Sequence, residues 1–254
     1  MGEFKMKLLK ISAWLLILLS QNSFAASYQL SFSWEWDGTD VEDGRLPNFA
    51  HFTDLVGATH QAGSALWTPG GLATPGIERV AEDGQSDILI SEVDNLIDEG
   101  IADQFINVGA PRVFLQRRSI IISQIPATLE ITVNEEHPEI SLISMIAPSP
   151  DWFVGVSGLA LFDGEEWVDS LTLDLRPWDA GTENGVDFDL TNVGTIPQRT
   201  IERITNSPFT FDEQPIVAQL QIERLDSSVN PIPVPAALPL MASAFICLVR
   251  ARKA

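Results

Sequence analysis

The stretch PSPDWFVGVSGLALFDGEEWVDSLTLDLRPWDAGTENGVDF, residues 148–188, contains two patterns that together predict the fold. Its segments WFVGVSG and WVDSLTLDL are rich in apolar and β-branched residues and are bounded by Pro, Gly and Asp, which predicts two strands. An aspartate stands next to a tryptophan near each end of the stretch, at Asp151 and at Asp179. A strand, a turn and a returning strand fit into this interval. We therefore expect the two aspartates to meet at one end of a β-sandwich.

The second aspartate lies on a loop that carries a further acid, Glu183, and Gly181 between them lets the backbone curl so that both acids point the same way. Three carboxylates that converge repel one another unless a cation neutralises them. Calcium suits such a site because it is a hard ion that takes six to eight oxygen ligands and tolerates loop carbonyls and water. We therefore predict a calcium site formed by Asp151, Asp179 and Glu183, with Asp187 as a reserve ligand. The alternative is that these acids are simply solvated, as we expect for Asp163, Asp174 and Asp189.

Outside this stretch, short strands dominate the pattern. YQLSFSWEW alternates in the period of two that is typical of a strand, and it places five large side chains on one face: Tyr28, Leu30, Phe32, Trp34 and Trp36. Further strands are predicted in SIIISQIP, LEITVN, ISLISMIA and IVAQLQIERL. One helix is predicted in SDILISEVDNLIDEGIADQF, where apolar residues recur at helical spacing after Ser86. These elements predict an all-β protein, an antiparallel β-sandwich with one helical excursion.

Composition restricts the classes of partner. The 254 residues are 45% hydrophobic, which suffices for a core, and Cys247 is the only cysteine, so no intrachain disulfide can form. The net charge of −20 argues against nucleic-acid binding and favours cations. Every lysine lies in a terminal segment, so the bases of the body are all arginines. Charge repulsion predicts a monomer.

The amino-terminal segment, residues 1–25, has the pattern of a signal peptide. Lys5, Lys7 and Lys10 precede the apolar run ISAWLLILLS, and SFA offers small residues before a cleavage point at Ala25. The run is short for a spanning helix. We therefore predict secretion.

At the carboxy terminus, a Pro-rich linker at 227–235 precedes a hydrophobic segment with a basic tip at 236–254. This order resembles the PEP-CTERM sorting signals of Gram-negative bacteria, in their VPxPA variant, which an exosortase processes. The resemblance implies a cell envelope or extracellular surface location. The alternative is a plain membrane anchor, although the apolar stretch is short and contains Pro239.

The stretch at 148–188 closely resembles the signature of the spondin amino-terminal domain, and FTDLVGATHQAGSALWTPGGLATPGIERVAEDG resembles the earlier half of that family. The resemblance covers the predicted domain, residues 26–226. It implies a calcium-binding, C2-like β-sandwich related to the membrane-binding modules of synaptotagmin, with an adhesion or matrix role and no catalysis. The family's metal-binding acids correspond to Asp151, Asp179 and Glu183, of which the last departs from the usual Asp. Animal members carry cysteines where this chain has FDGEEW, so we expect Trp167 to support that loop.

The sequence therefore predicts a secreted or surface-retained adhesion module whose ligand is an extracellular glycan, lipid or protein. One alternative is a carbohydrate-active hydrolase that uses Asp151 and Asp179 as paired carboxylates. Another is a purely structural matrix component. The three histidines match no metal-ligand spacing, and His137 is predicted in a surface turn. Trp152 and Trp178 are interpreted as structural walls of the acidic loops.

Overall fold

The computed structural model describes residues 25–205, 207–209 and 215–225. The predicted linker and sorting segment, and the predicted signal peptide apart from Ala25, lie outside these ranges. Two antiparallel sheets face each other, which confirms the predicted all-β sandwich. No helix in the described ranges is long and apolar enough to cross a membrane.

The first sheet has four strands, in the order β10, β15, β1 and β7. They are Ser170–Leu175 (β10), Ala218–Arg224 (β15), Ala26–Trp34 (β1) and Ala127–Val133 (β7). The alternation predicted for β1 is observed: its four large apolar side chains are fully buried, and Trp36 continues the same buried row beyond the strand. All pairings in this sheet are antiparallel.

The second sheet runs in the order β14, β11, β9, β8, β3 and β4, with β2 also paired to β8. Its strands are His51–Phe52 (β2), Leu55–His60 (β3), Ala102–Gly109 (β4), Glu139–Ala147 (β8), Trp152–Ala160 (β9), Trp178–Asp179 (β11) and Glu202–Arg203 (β14). Two separate two-stranded ribbons complete the strands: Arg112–Gln116 (β5) with Ile120–Ile125 (β6), and Glu183–Asn184 (β12) with Val193–Gly194 (β13).

Two helices cover the outer face of the second sheet, where the sequence predicted one. They are Pro75–Asp83 (α1) and Asp87–Asp98 (α2). Both pack apolar side chains into a second core against β3, β8 and β9, so β3 and β8 are buried on both faces. The predicted helix was also too long at its carboxyl end, because Ala102 and the residues after it form β4.

The β1 strand runs from one end of the sandwich to the other, so its two ends locate the other features. At its start, the Leu225 N–H donates to the carbonyl of Ser27 at 2.8 Å, so the described chain enters and leaves at the same end. At the other end, the ring of Trp36 contacts Phe188 on the loop that follows Glu183, with centroids 5.4 Å apart. A strand of this length spans about 25–30 Å. The acidic loops therefore lie at the end opposite the chain ends.

Candidate metal centre

Pairing between β9 and β11 brings the two aspartates together, as expected from the sequence. Trp152 is opposite Asp179 in the register, and the Ala180 N–H donates to the carbonyl of Asp151 at 3.1 Å. The short β11 strand thus positions one acidic loop directly beside the other.

Asp151 is fully buried, and its two carboxylate oxygens have different surroundings. Oδ2 accepts hydrogen bonds from the Thr182 N–H at 2.6 Å, the Thr182 hydroxyl at 3.2 Å and the Glu183 N–H at 3.0 Å. Oδ1 is buried and has no hydrogen-bond partner among the described residues. An unpaired carboxylate oxygen in a dry interior carries a large desolvation cost. A cation at Oδ1 would remove that cost.

Asp179 lies beside Asp151 and is half-buried. Its Oδ1 accepts a hydrogen bond from the Gly181 N–H at 2.7 Å, and the guanidinium of Arg199 lies 3.9 Å from Oδ2. Burial and, next in size, the charge of Asp151 raise the pKa of Asp179 to about 6. The contacts with Gly181 and Arg199 lower this pKa but do not fully offset the combined effect of burial and of repulsion from Asp151.

A fourth acid, Glu82 near the end of α1, lies near Glu183. Burial raises the pKa of Glu183 to about 7, and the charges of Glu82 and Asp151 contribute to this increase. Burial also raises the pKa of Glu82. Glu82 was not predicted as a site residue because α1 was not predicted, although Thr74, Pro75 and Gly84 are the expected cap, first residue and terminator of a helix.

The described residues do not contain a ready-made metal cluster: no three of their His, Cys, Asp and Glu side chains are grouped so as to hold one ion. Asp187, the reserve ligand, is exposed. The fit to a metal therefore rests on the unpaired oxygen of Asp151 and on the raised pKa values of Asp179 and Glu183.

Residues 26–216 match the family model described as Spondin_N. This chain belongs to the Spondin_N family. It is 35% identical over 185 residues to human Spondin-2, covering 72% of this chain and 53% of that protein. It is 32% identical over 211 residues to Spondin-1 of Rattus norvegicus, covering 79% of this chain and 25% of that protein. The chain thus spans about half the length of Spondin-2 and a quarter of that of Spondin-1.

The two tryptophans beside the acidic loops of this spondin domain, Trp152 and Trp178, have the structural roles interpreted from the sequence. Trp152 is buried, and its ring contacts Phe188 and Phe209 with centroids 5.4 and 5.6 Å away. Trp178 packs edge-on against Trp67, and the guanidinium of Arg203 lies 3.8 Å above its ring. These contacts hold the two acidic loops against the two cores.

Away from the acidic loops, Trp167 supports the FDGEEW loop as expected, because its ring lies 4.7 Å from that of Phe162. Asp163, Asp174 and Asp189 are exposed, which confirms that they are solvated. The turn predicted at His137 is present, and Glu135 and Glu136 in it are exposed, but the His137 side chain itself is buried.

A serine–histidine pair elsewhere in the domain is structural. Ser141 and His60 are both fully buried, and their Oγ and Nε2 atoms are 2.7 Å apart. Ser141 Oγ accepts hydrogen bonds from the N–H groups of Leu66 and Gly158, so its own proton is directed to His60. Burial lowers the pKa of His60, consistent with a neutral ring. A nucleophile must reach its substrate, and this serine is covered.

The raised pKa values predict how stability depends on pH in the presence of a chelator. Asp179 and Glu183 bind protons more tightly in the folded than in the unfolded chain, since their pKa values rise from 3.8 to about 6 and from 4.5 to about 7. The free energy of unfolding should therefore fall as pH rises through about 4–7.

Urea unfolding between pH 5 and 8 of the wild type and of Glu183→Gln measures this effect, and the variant should show a weaker pH dependence. His60 acts in the opposite direction, because its lowered pKa removes stability as pH falls below 6.5. That contribution is common to both proteins, so the difference between them isolates Glu183. Identical pH profiles for the two proteins would contradict the assigned repulsion.

Proposed function

We propose that this spondin domain is a secreted, non-catalytic adhesion module that binds calcium at the acidic loops. The observation that supports this most directly is the buried, unpaired Oδ1 of Asp151. Asp179 is opposite Trp152 in the strand register, the Glu183 N–H donates to Oδ2 of Asp151, and the charge of Asp151 helps to raise the pKa of both acids. An ion at this place would replace the repulsion of Asp151 with Asp179 and with Glu183 by attraction.

Calcium fits these residues better than the common alternatives. The acidic loops offer oxygen atoms, whereas zinc and copper prefer nitrogen and sulfur ligands. Calcium also tolerates irregular geometry and accepts backbone carbonyls and water, which suits carboxylates that are adjacent but not grouped as a cluster. Asp151, Asp179 and Glu183, which are not grouped around one point in this structure, would have to move closer together around the ion, which would supply positive charge and join the two loops.

Burial of Asp151 favours binding over catalysis. In the hydrolase alternative, Asp151 and Asp179 would act as an acid and a base or nucleophile, and both would have to contact a glycosidic bond. Asp151 is fully buried, and Oδ2 is engaged with three donors. Its contacts suit a residue that organises the loop at Thr182 and Glu183.

The position of the chain ends suits adhesion rather than a purely structural matrix role. Export through the predicted signal peptide and retention at the envelope of a Gram-negative bacterium through the exosortase-type segment are part of the proposal. Ser27 and Leu225 lie together at one end of the sandwich, so a monomeric domain held through its carboxy terminus presents the acidic loops at the other end. An extracellular glycan, lipid or protein could then reach them.

Calorimetric titration of the purified protein with calcium tests the site. We expect one binding event in the wild type, and Asp179→Asn should weaken it at least tenfold, because it removes a ligand charge at nearly constant shape. Asp94→Asn, which neutralises an exposed acid on α2, is the matched control and should bind as the wild type does. Absence of calcium binding in the wild type, or equal losses in both variants, would refute the assignment.

A further inference from the structure

The ribbon formed by β5 and β6, here called the Arg112–Ile125 hairpin, has apolar side chains on both faces. On the inner face, Val113, Leu115 and Ile121 pack against the main core. On the outer face, four large apolar side chains are 54–64% exposed: Phe114, Ile120, Ile122 and Ile125. Burying the inner face accounts for the fold of the hairpin. It does not explain why large apolar side chains on the outer face are exposed to solvent.

The same hairpin is cationic in a strongly acidic protein. Residues 110–129 contain three arginines, Arg112, Arg117 and Arg118, and no Asp or Glu. All three are exposed, and no carboxylate of the described residues lies within ion-pair distance of them. By contrast, Arg79 and Arg224 are each paired with an aspartate. The positive charge of the hairpin is therefore available to a partner.

A neighbouring loop extends this surface with Phe49, whose side chain is 90% exposed. The backbone of Phe49 has a φ of 62°, in the left-handed region. The loop is attached to the hairpin turn: the Arg118 guanidinium donates to Asn48 Oδ1 at 2.7 Å, and the Leu46 N–H donates to the Arg118 carbonyl at 2.9 Å. We call the combined set of exposed side chains the hairpin surface: Phe49, Phe114, Ile120, Ile122, Arg112, Arg117 and Arg118.

We propose that the hairpin surface docks onto a lipid bilayer that contains anionic headgroups. Exposed aromatic and branched aliphatic side chains gain free energy by entering the boundary between headgroups and acyl chains, while arginines beside them remain at the phosphates. An anionic glycan would neutralise the arginines but would leave the isoleucines in water. Outside the hairpin surface the described domain is rich in acids, which such a bilayer repels, so the domain should approach the bilayer through this surface.

The docked orientation follows from the position of the hairpin. The Trp34 N–H, at the carboxyl end of β1, donates to Gln124 Oε1 at 3.0 Å, so the hairpin lies at the end of the sandwich opposite Ser27 and Leu225. Docking would therefore leave the chain ends pointing away from the bilayer. This inference names a partner for the proposed adhesion and rests on that role, but it uses none of the calcium ligands.

A fluorophore that responds to polarity, placed on the hairpin of the full chain, tests the docking directly. In a Cys247→Ser background, Ile122→Cys carries the label, and Ser170→Cys, exposed at the opposite end, is the matched control site. Vesicles of about three parts phosphatidylcholine to one part phosphatidylglycerol supply the anionic surface. We expect a blue shift at position 122 and none at position 170. The shift should be absent with pure phosphatidylcholine and should persist in chelator, so loss of the calcium site would leave it intact.

Charge variants provide the second arm. Arg112→Gln/Arg117→Gln leaves the contacts of Arg118 in place, and vesicle affinity should fall roughly 25-fold, about fivefold for each arginine. Arg79→Gln/Arg224→Gln makes the same change in net charge at ion-paired positions and should alter affinity by less than about twofold. A label at 122 that stays in water, equal losses in the two double variants, or binding of soluble heparin without any blue shift on vesicles would overturn the proposal.

Discussion

In saturating calcium the protein is expected to melt about 5–10 °C higher than in chelator. A ligand at 100 times its dissociation constant stabilises the folded state by about 2.7 kcal/mol, and each kcal/mol moves the melting temperature of a domain of this size by roughly 2–4 °C. The proposed physical source is the pairing of the ion with the unpaired oxygen of Asp151 and with the carboxylates of Asp179 and Glu183. Differential scanning calorimetry in both buffers measures the shift.

Three variants should separate the ligands. Asp179→Asn should abolish most of the shift and be neutral or mildly stabilising in chelator, because it relieves repulsion from Asp151. Asp151→Asn should also abolish the shift, but it should cost stability in chelator, because an amide nitrogen would occupy a buried position without an acceptor. Glu183→Gln should lose less of the shift. A wild type that melts at one temperature in both buffers would show that the proposed site does not exist.

The second large effect is expected from Gly181→Ala, which should lower the free energy of unfolding by about 2–5 kcal/mol. Gly181 has a φ of +77°, which costs a residue with a side chain about 1–2 kcal/mol. A Cβ there would also overlap the carbonyl of Arg199, whose N–H donates to the Gly181 carbonyl at 2.8 Å. The two backbones cannot separate without breaking this contact. Urea unfolding measures the loss.

Gly63→Ala is the matched control, because Gly63 has a φ of +79° but open space where a Cβ would lie. This substitution should lower the free energy of unfolding only by the cost of the left-handed backbone conformation, about 1–2 kcal/mol. Gly181→Ala should in addition reduce the calcium-induced rise in melting temperature, because Gly181 lies between Asp179 and Glu183. Equal costs for the two glycines would mean that the close approach to Arg199 does not constrain the acidic loop.

The strands that could be predicted were those whose own side chains alternate or are strongly β-branched. The β1 strand is the clearest example, since its buried row was evident in YQLSFSWEW. The β3 strand was missed because every one of its residues is buried between the main core and the helices, so no alternation marks it. The α1 helix was missed because it is only nine residues long.

Part of the acidic site could also be predicted from the sequence. The Asp–Trp pairs at 151–152 and 178–179 identified two loops that meet, and β9 and β11 are indeed paired there. The different surroundings of the two oxygens of Asp151 could not be predicted, because they depend on donors at Thr182 and Glu183, which become neighbours only when the sheet forms. The proximity of Glu82 likewise depends on how α1 packs.

The sequence by itself determined the all-β class, the strands with regular alternation and the acids worth testing, because these follow from local periodicity and residue chemistry. Only the tertiary structure decided which carboxylate oxygen is left unpaired and which arginines are exposed without an ion pair. Burial and pairing are properties of neighbours that are distant in the chain. The register of β9 against β11 determines how Asp151 is buried and which of its oxygens is paired. The attachment of the Arg112–Ile125 hairpin to the Asn48 loop determines the surroundings of Arg118.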